Sequence, residues 1–67
     1  MQFSKILKEL RKEKNMTQTQ LGHLIGFSYS AIRDWESSRT QPSIENLIKL
    51  ARIFNVTVGQ LVGVEDL

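Results

Sequence analysis

The sequence has no cysteine, which excludes a disulfide framework and a thiolate metal site. Its single histidine, His23, has no second histidine or cysteine as a partner, so we expect an exposed and inert side chain. No apolar run approaches the roughly 20 residues of a membrane-spanning helix, and the amino terminus is too charged for a signal peptide. We therefore expect a cytoplasmic protein without a metal, a cofactor or a small-molecule ligand.

The signatures of an enzyme are missing as well. The chain has four glycines and no glycine-rich phosphate loop, and no Ser, His and Asp are spaced as a triad. The 67 residues suffice for one domain, which spans residues 1–67. The core of a domain of this size is marginal unless the helices pack well or a partner contributes surface. The missing motifs indicate a small binding protein and not an enzyme. The marginal core favours dimerisation, because a partner would contribute surface to it.

Residues 18–37 have the spacing of two short helices joined by one tight turn. Thr17 can cap the first helix while Gln20 reaches back to the N–H of the cap, which is a capping box. Gly26 can adopt the left-handed conformation that ends this helix, and Ser28 is the expected cap of the next one. The apolar residues of the first helix recur at helical spacing, at Leu21, Leu24 and Ile25. This stretch therefore predicts a helix-turn-helix motif.

The second helix of this pair has two chemically different faces. Its packing face consists of Ser28, Ala31, Ile32 and Trp35, and its outward face consists of Tyr29, Ser30, Arg33 and Ser37. Hydroxyl groups and a cation suit base edges in a major groove, and Arg33 is the strongest candidate for a bidentate guanine contact. Asp34 borders this face and is expected to point to solvent. We therefore predict that the outward face reads the bases of double-stranded DNA.

In combination, these features resemble the DNA-binding domain of the phage Cro and lambda-type repressor family of small transcriptional regulators. The residues that carry the resemblance are Leu21, Gly22, Gly26, Ile32, Trp35, Glu36 and the run Arg39-Thr40-Gln41-Pro42-Ser43. The resemblance covers residues 7–61 and implies an all-α, compact five-helix domain. Two positions depart from the family, which usually has alanine at Gly22 and glycine at Ser38. Glycine at 22 keeps a close backbone approach at lower helix propensity, and serine at 38 makes a left-handed helix end more costly.

The resemblance also implies roles for polar residues outside the outward face. In the family, the start of helix two and the loop after the recognition helix contact the phosphates beside the groove, which carries over to Gln18, Arg39 and Thr40. The two cap residues, Thr17 and Ser28, are further candidates for phosphate contacts. In the family an arginine of helix one pairs with the glutamate that closes the recognition helix, which carries over to Arg11 and Glu36. A semi-buried bidentate bridge between them would lock helix one against helix three. The alternative is that both are ordinary surface charges.

Three further helices are predicted around this pair: one that begins at residue 2 or 3 and ends at residue 14, and two at residues 44–54 and 57–62. The apolar stripe of helix one is Phe3, Ile6, Leu7 and Leu10. Asn15 is expected to end helix one, and Thr57 with Gln60 forms a second capping box at the start of helix five. Helix four is so apolar that we expect a central core helix with little exposed face. Without a strand pattern of useful length, the chain is predicted to be one all-α unit.

Charge and apolar residues indicate the partners of this unit. All nine Lys and Arg residues lie between Lys5 and Arg52 with five of the seven acids, so the domain body carries about +4 and is weakly attracted to phosphates. Apolar residues near the carboxyl end form either a twofold dimer interface or a frayed tail, namely Val58, Val62, Val64 and Leu67.

The function predicted from the sequence is sequence-specific binding of double-stranded DNA by a transcriptional regulator, with repression as the favoured mode. The helix at 28–37 would enter the major groove, and a homodimer would bind an inverted repeat. The alternative is a protein-binding adaptor or an antitoxin-like module that uses the apolar carboxyl-terminal surface. Salt-dependent affinity for DNA would distinguish the two, because an adaptor has no reason to release counterions.

Overall fold

The computed structural model describes residues 2–67, which form five α-helices and, within that range, no strand. The helices are α1 Phe3–Glu13, α2 Gln18–Ile25, α3 Tyr29–Glu36, α4 Ile44–Phe54 and α5 Val58–Val62. Helix α2 packs against α3, α1 contacts α3 and α5, and α4 contacts α2 and α5. None of these five helices has both the length and the apolar character required to cross a bilayer. The five-helix, all-α fold predicted from the sequence is confirmed.

Side chains from all five helices build the core. Its most deeply buried members are Phe3, Leu7, Leu21, Ile32, Leu50 and Leu61. The apolar stripe predicted for helix one is buried throughout, and so is Trp35. Because burial of each large apolar side chain contributes about 1.5–3 kcal/mol, this shared core holds α2 and α3 in a defined orientation.

Threonine residues begin α2 and α5. Thr17 Oγ1 accepts the N–H of Gln20 at 3.0 Å, while the Gln20 side chain accepts the N–H of Thr17 at 2.8 Å. Thr57 and Gln60 make the same reciprocal pair, with both distances 2.9 Å. Both predicted capping boxes are confirmed.

Ser28 precedes α3 as predicted, but its hydroxyl makes no cap hydrogen bond. The expected side-chain cap is therefore wrong. The Ser28 carbonyl instead accepts the N–H of Ala31 at 3.2 Å. This backbone contact tightens the first turn and occupies the N–H group that the hydroxyl would have bound.

All five described helices end at residues in the left-handed region. Four of these residues are Asn15, Gly26, Asn55 and Gly63, with φ of 55°, 85°, 55° and 86°. The fifth is Ser38, with φ of 64°. Its turn is closed by hydrogen bonds from the N–H of Ser38 to the carbonyl of Trp35 at 3.4 Å and from the N–H of Arg39 to the carbonyl of Asp34 at 2.9 Å. Serine therefore adopts here the conformation for which glycine is usual, at a conformational cost.

Helix α4 is less buried than its sequence predicts. Leu50, Ala51 and Phe54 are buried, whereas Ile44 is 75% exposed and Ile48 is 39% exposed. The expected core helix with little exposed face is therefore wrong. Helix α4 packs against α2 and α5 on its inner side, and a five-helix domain of this size leaves the outer side uncovered.

Candidate nucleic-acid interface

The turn between α2 and α3 contains a close approach of two backbone segments. An ideal Cβ built on Gly22 would lie 2.5 Å from the carbonyl oxygen of Phe27, closer than real Cβ contacts allow. The Gly22 carbonyl accepts the N–H groups of Gly26 and Phe27, both at 2.8 Å. The backbone approach predicted at Gly22 is present, and it determines how closely α3 follows α2.

The inner face of α3 is anchored to the rest of the domain. Ile32 and Trp35 are buried, and the Phe27 and Trp35 rings meet edge to face with centroids 5.2 Å apart. Ser4 of α1 donates its hydroxyl to the Trp35 carbonyl at 2.5 Å and shares a hydrogen bond with Ser38 Oγ at 2.8 Å. Sequence reasoning missed Ser4, because these partners lie 31 and 34 residues away along the chain.

Arg11 and Glu36 form a bidentate ion pair between α1 and the end of α3. Arg11 Nε donates to Glu36 Oε2 at 2.6 Å, and Arg11 Nη2 donates to Glu36 Oε1 at 3.0 Å. The two side chains are only 10% and 4% exposed. The hydrogen bond with Glu36 raises the pKa of Arg11 above its ordinary value, although burial acts in the opposite direction. The pair that the resemblance implies is present, and it couples the orientation of α3 to α1.

Gln18 contacts the same carboxylate. Its Nε2 donates to Glu36 Oε1 at 3.3 Å, and the residue is half-buried. The amide expected on a phosphate therefore lies against the end of α3 in this structure. Thr17, immediately before it, is exposed and uses its hydroxyl in the capping box. The start of α2 and the end of α3 are thus linked through Glu36.

The outward face of α3 exposes an aromatic ring and a cation. Tyr29 is 51% exposed, and the Arg33 side chain is 54% exposed. Arg33 Cζ lies 5.7 Å from the centroid of the Tyr29 ring, within the range of a cation–π contact. Ser30 is half-buried, and Ser37 is exposed. Tyr29 and Arg33 are therefore the most prominent of the four candidate base-reading residues.

The loop after α3 folds back over the last turn of that helix. The N–H groups of Arg39 and Thr40 donate to the Asp34 carbonyl at 2.9 and 3.4 Å, and both side chains are exposed. The Asp34 carboxylate does not simply face solvent as expected. Its Oδ1 is buried without a hydrogen-bond partner among the described residues, and Arg33 Nε lies 3.6 Å from it. The Asp34 side chain as a whole is 27% exposed, so one carboxylate oxygen is shielded while the group keeps partial contact with solvent.

Comparison with known proteins identifies the arrangement. The helix-turn-helix family matches residues 7–61. The chain belongs to the helix-turn-helix family. The resemblance to Cro and lambda-type repressors, which the sequence indicated through its turn and the residues after α3, is thereby confirmed.

Two curated relatives and one solved structure show the extent of the similarity. The HTH-type transcriptional activator BcrR of Enterococcus faecalis is 39% identical over 67 residues, which are 100% of this chain and 33% of that protein. The cryptic phage CTXphi transcriptional repressor RstR of Vibrio cholerae is 33% identical over 63 residues, which are 94% of this chain and 56% of that protein. The P22 c2 repressor, solved in complex with a synthetic operator, has a TM-score of 0.83 and 32% identity, covering 88% of this chain and 89% of that one. The chain thus spans a third to just over half of these curated relatives.

The helix-turn-helix domain exposes apolar residues near its carboxyl end. Val58 and Val62 are half-buried on α5, and Val58 packs against the core. Val64 and Leu67 are 77% and 66% exposed. The four candidate dimer residues are therefore unequal, and the last two are the most accessible to a partner.

Proposed function

We propose that this helix-turn-helix protein is a DNA-binding transcriptional regulator whose helix α3 enters the major groove. The observation that carries the proposal is the outward face of α3, where Tyr29 and the Arg33 side chain are more than half exposed on a helix with a buried inner face. A helix that is anchored on one side and polar on the other suits a groove wide enough for one α-helix. Similarity to the P22 c2 repressor, solved with a synthetic operator, supports this function over 88% of the chain.

Arg33 is the principal base-reading residue in the proposed complex. Its guanidinium can donate two parallel hydrogen bonds to O6 and N7 of guanine, a contact that contributes about 1–3 kcal/mol of discrimination. Tyr29, Ser30 and Ser37 add hydroxyl groups for neighbouring base edges. Because Ser30 is half-buried, its hydroxyl is less accessible than those of Tyr29 and Ser37.

Residues on both sides of α3 are proposed to contact phosphates. They are Thr17, Gln18, Ser28, Arg39 and Thr40. Arg39 supplies an exposed cation, and the amino-terminal turn of α2 supplies the positive end of a helix dipole. Gln18 donates one amide proton to Glu36, so its second amide proton is the one that can be donated to a phosphate oxygen. Such contacts position the protein without reading sequence.

We further propose that two copies bind an inverted repeat, with repression as the favoured mode. Reading helices about 34 Å apart would meet successive major grooves on one side of the duplex. Val64 and Leu67, with Val58 and Val62, offer a candidate twofold surface. Similarity supports a role in transcriptional regulation more strongly than it supports repression over activation, because one relative is an activator and another is a repressor. The cytoplasmic location expected from the sequence stays a prediction.

Selection of bound duplexes from a randomised DNA pool at about physiological salt, followed by sequencing, tests this function. Enrichment of an inverted repeat with half-site centres about 10 base pairs apart supports both sequence recognition and the dimer. Enrichment of a single short site supports recognition and contradicts the dimer. Binding that selects no sequence and disappears at modest salt contradicts the proposed function and favours the protein-binding adaptor.

A further inference from the structure

The buried carboxylate oxygen of Asp34 has no role in the interface described above. Asp34 Oδ1 is shielded from water and has no hydrogen-bond donor among residues 2–67. A buried polar oxygen without a donor is destabilising, so its presence on α3 requires an explanation. The cation within reach is Arg33, whose Nε lies 3.6 Å from Oδ1.

An anion and an aromatic ring border the Arg33 guanidinium. Asp34 Oδ1 attracts it through Nε at 3.6 Å, and the Tyr29 ring centroid lies 5.7 Å from Cζ. The distance to Asp34 is longer than a hydrogen bond, so the attraction is Coulombic, between side chains that are 54% and 27% exposed. Because the pair is made through Nε, the terminal Nη1 and Nη2 groups are left for an external acceptor.

We propose that Asp34 is a positioning residue that holds Arg33 for base recognition. Its carboxylate draws Nε toward the end of α3 while Tyr29 contacts the guanidinium, so the fork of Nη1 and Nη2 is presented in one preferred orientation. This inference rests on the proposed function and adds to it the residue that determines how selective the guanine contact is. A preorganised fork loses less conformational entropy on guanine and adapts less easily to a wrong base.

The charge of Asp34 gives this role a distinctive signature. A carboxylate near the DNA repels phosphates, so its removal should slightly strengthen binding to every duplex. Without the attraction of the carboxylate, the Arg33 guanidinium should be less well oriented, and the preference for guanine should weaken at the same time. General damage to α3 would instead weaken binding to all duplexes, so the two explanations predict different signs.

The test compares Asp34→Asn with the control Glu13→Gln. Each substitution converts a carboxylate into its amide and removes one negative charge, and Glu13 is an exposed residue of α1. The base pair read by Arg33 is first assigned as the position where Arg33→Ala loses guanine preference in the selection experiment. Affinity is then measured for four duplexes that differ at that position only, and melting temperature reports on folding.

Asp34→Asn is expected to reduce guanine preference at the assigned position by at least about fivefold and to leave the other positions unchanged. Glu13→Gln is expected to change no preference. In an Arg33→Ala background, Asp34→Asn should have no further effect on base preference, because Asp34 acts through Arg33. If Asp34→Asn does not fold, Asp34→Glu, which keeps the charge but moves the carboxylate by one methylene, is measured with the same expected loss.

Three results would overturn the inference. If the guanine preference of Asp34→Asn is within about twofold of that of the unsubstituted protein, the inference is overturned and the proposed function is left intact. Loss of a cytosine preference at a different base pair also overturns it, since Asp34 would then contact DNA itself. Failure of the unsubstituted protein to select any sequence overturns the proposed function, and this inference with it.

Discussion

The carbonyl oxygen of Phe27 occupies the space that a β-carbon on residue 22 would need. An ideal Cβ on Gly22 lies 2.5 Å from that oxygen and 3.3 Å from the carbonyl carbon. Both atoms belong to the backbone of the turn, so no side-chain rotation relieves the overlap. The angle between α2 and α3 therefore depends on glycine at position 22.

Gly22→Ala is expected to lower the free energy of unfolding by about 1–3 kcal/mol, the usual cost of overpacking. Alanine gains roughly 1 kcal/mol of helix propensity, but the turn has to move to admit its methyl group. Urea unfolding followed by circular dichroism measures the change. A variant at least as stable as the unsubstituted protein would show that the turn adapts to the alanine usual in the Cro and repressor family.

Gly59→Ala is the matched control for this substitution, because it adds the same methyl group to α5. The ideal Cβ on Gly59 overlaps the side chain of Glu65, which is exposed and can rotate away at the cost of its exposed hydrogen bond from Thr57 Oγ1. We expect Gly59→Ala to be neutral or stabilising by up to about 1 kcal/mol. Equal losses for both variants would mean that the turn at Phe27 is not the source of the effect.

Ser38→Gly is expected to stabilise the domain. At φ of 64°, glycine relieves about 1 kcal/mol of conformational strain, whereas the exposed hydrogen bond between Ser4 and Ser38 contributes about 0.5 kcal/mol. The net gain of about 0.5 kcal/mol should raise Tm by about 2–4 °C. Ser38→Ala removes the hydroxyl and keeps the strain, so calorimetry should show a lower Tm for it. The same Tm for both variants would rule out backbone strain as the cause.

Glu36→Gln is expected to destabilise the domain by about 3–5 kcal/mol, because it leaves the charge of Arg11 buried and unpaired. That loss is a large part of the total stability of a domain of this size. Replacing both partners, with Arg11→Met and Glu36→Leu, should recover much of it, since no buried charge is then uncompensated. Thermal unfolding compares the variants. A double variant as unstable as Glu36→Gln would contradict this account of the ion pair.

Arg33→Ala and Arg39→Ala remove the same side chain from two parts of the proposed interface. Arg33→Ala should reduce discrimination at one base pair by about 1–3 kcal/mol. Arg39→Ala should weaken all duplexes similarly and reduce the salt slope by about 1. Binding titrations with specific and random duplexes at several salt concentrations measure both quantities. Identical effects of the two variants would refute the division between base reading and phosphate contact.

Val64→Asp tests the proposed dimer surface, with Ile44→Asp as its control. The two residues are 77% and 75% exposed, so neither substitution should disturb the fold. Val64→Asp is expected to convert the dimer to a monomer in sedimentation equilibrium and to lower affinity for the inverted repeat more than for a half-site. If Ile44→Asp has this effect instead, the twofold surface lies on α4.

The amino-acid sequence by itself determined where the helices begin and end. Thr17 and Thr57 start helices through partners three residues away, and Asn15 and Gly26 end them through their own backbone conformation. Such signals are local, so they act before any tertiary contact forms and can be recognised from spacing. The outward face of α3 was predictable for the same reason, because helical periodicity separates Tyr29 and Arg33 from the packing residues.

Only the tertiary structure decided which groups meet across helices. Gln18 binds Glu36, and Ser4 binds the end of α3, through contacts between residues distant in sequence. Ile44 is exposed despite its apolar side chain, and Asp34 Oδ1 is buried despite its charge. Burial depends on which neighbouring element covers a side chain, and a local pattern does not contain that information. Periodicity therefore predicted the helices and the outward face of α3, whereas packing determined which side chains are buried and which of them meet across helices.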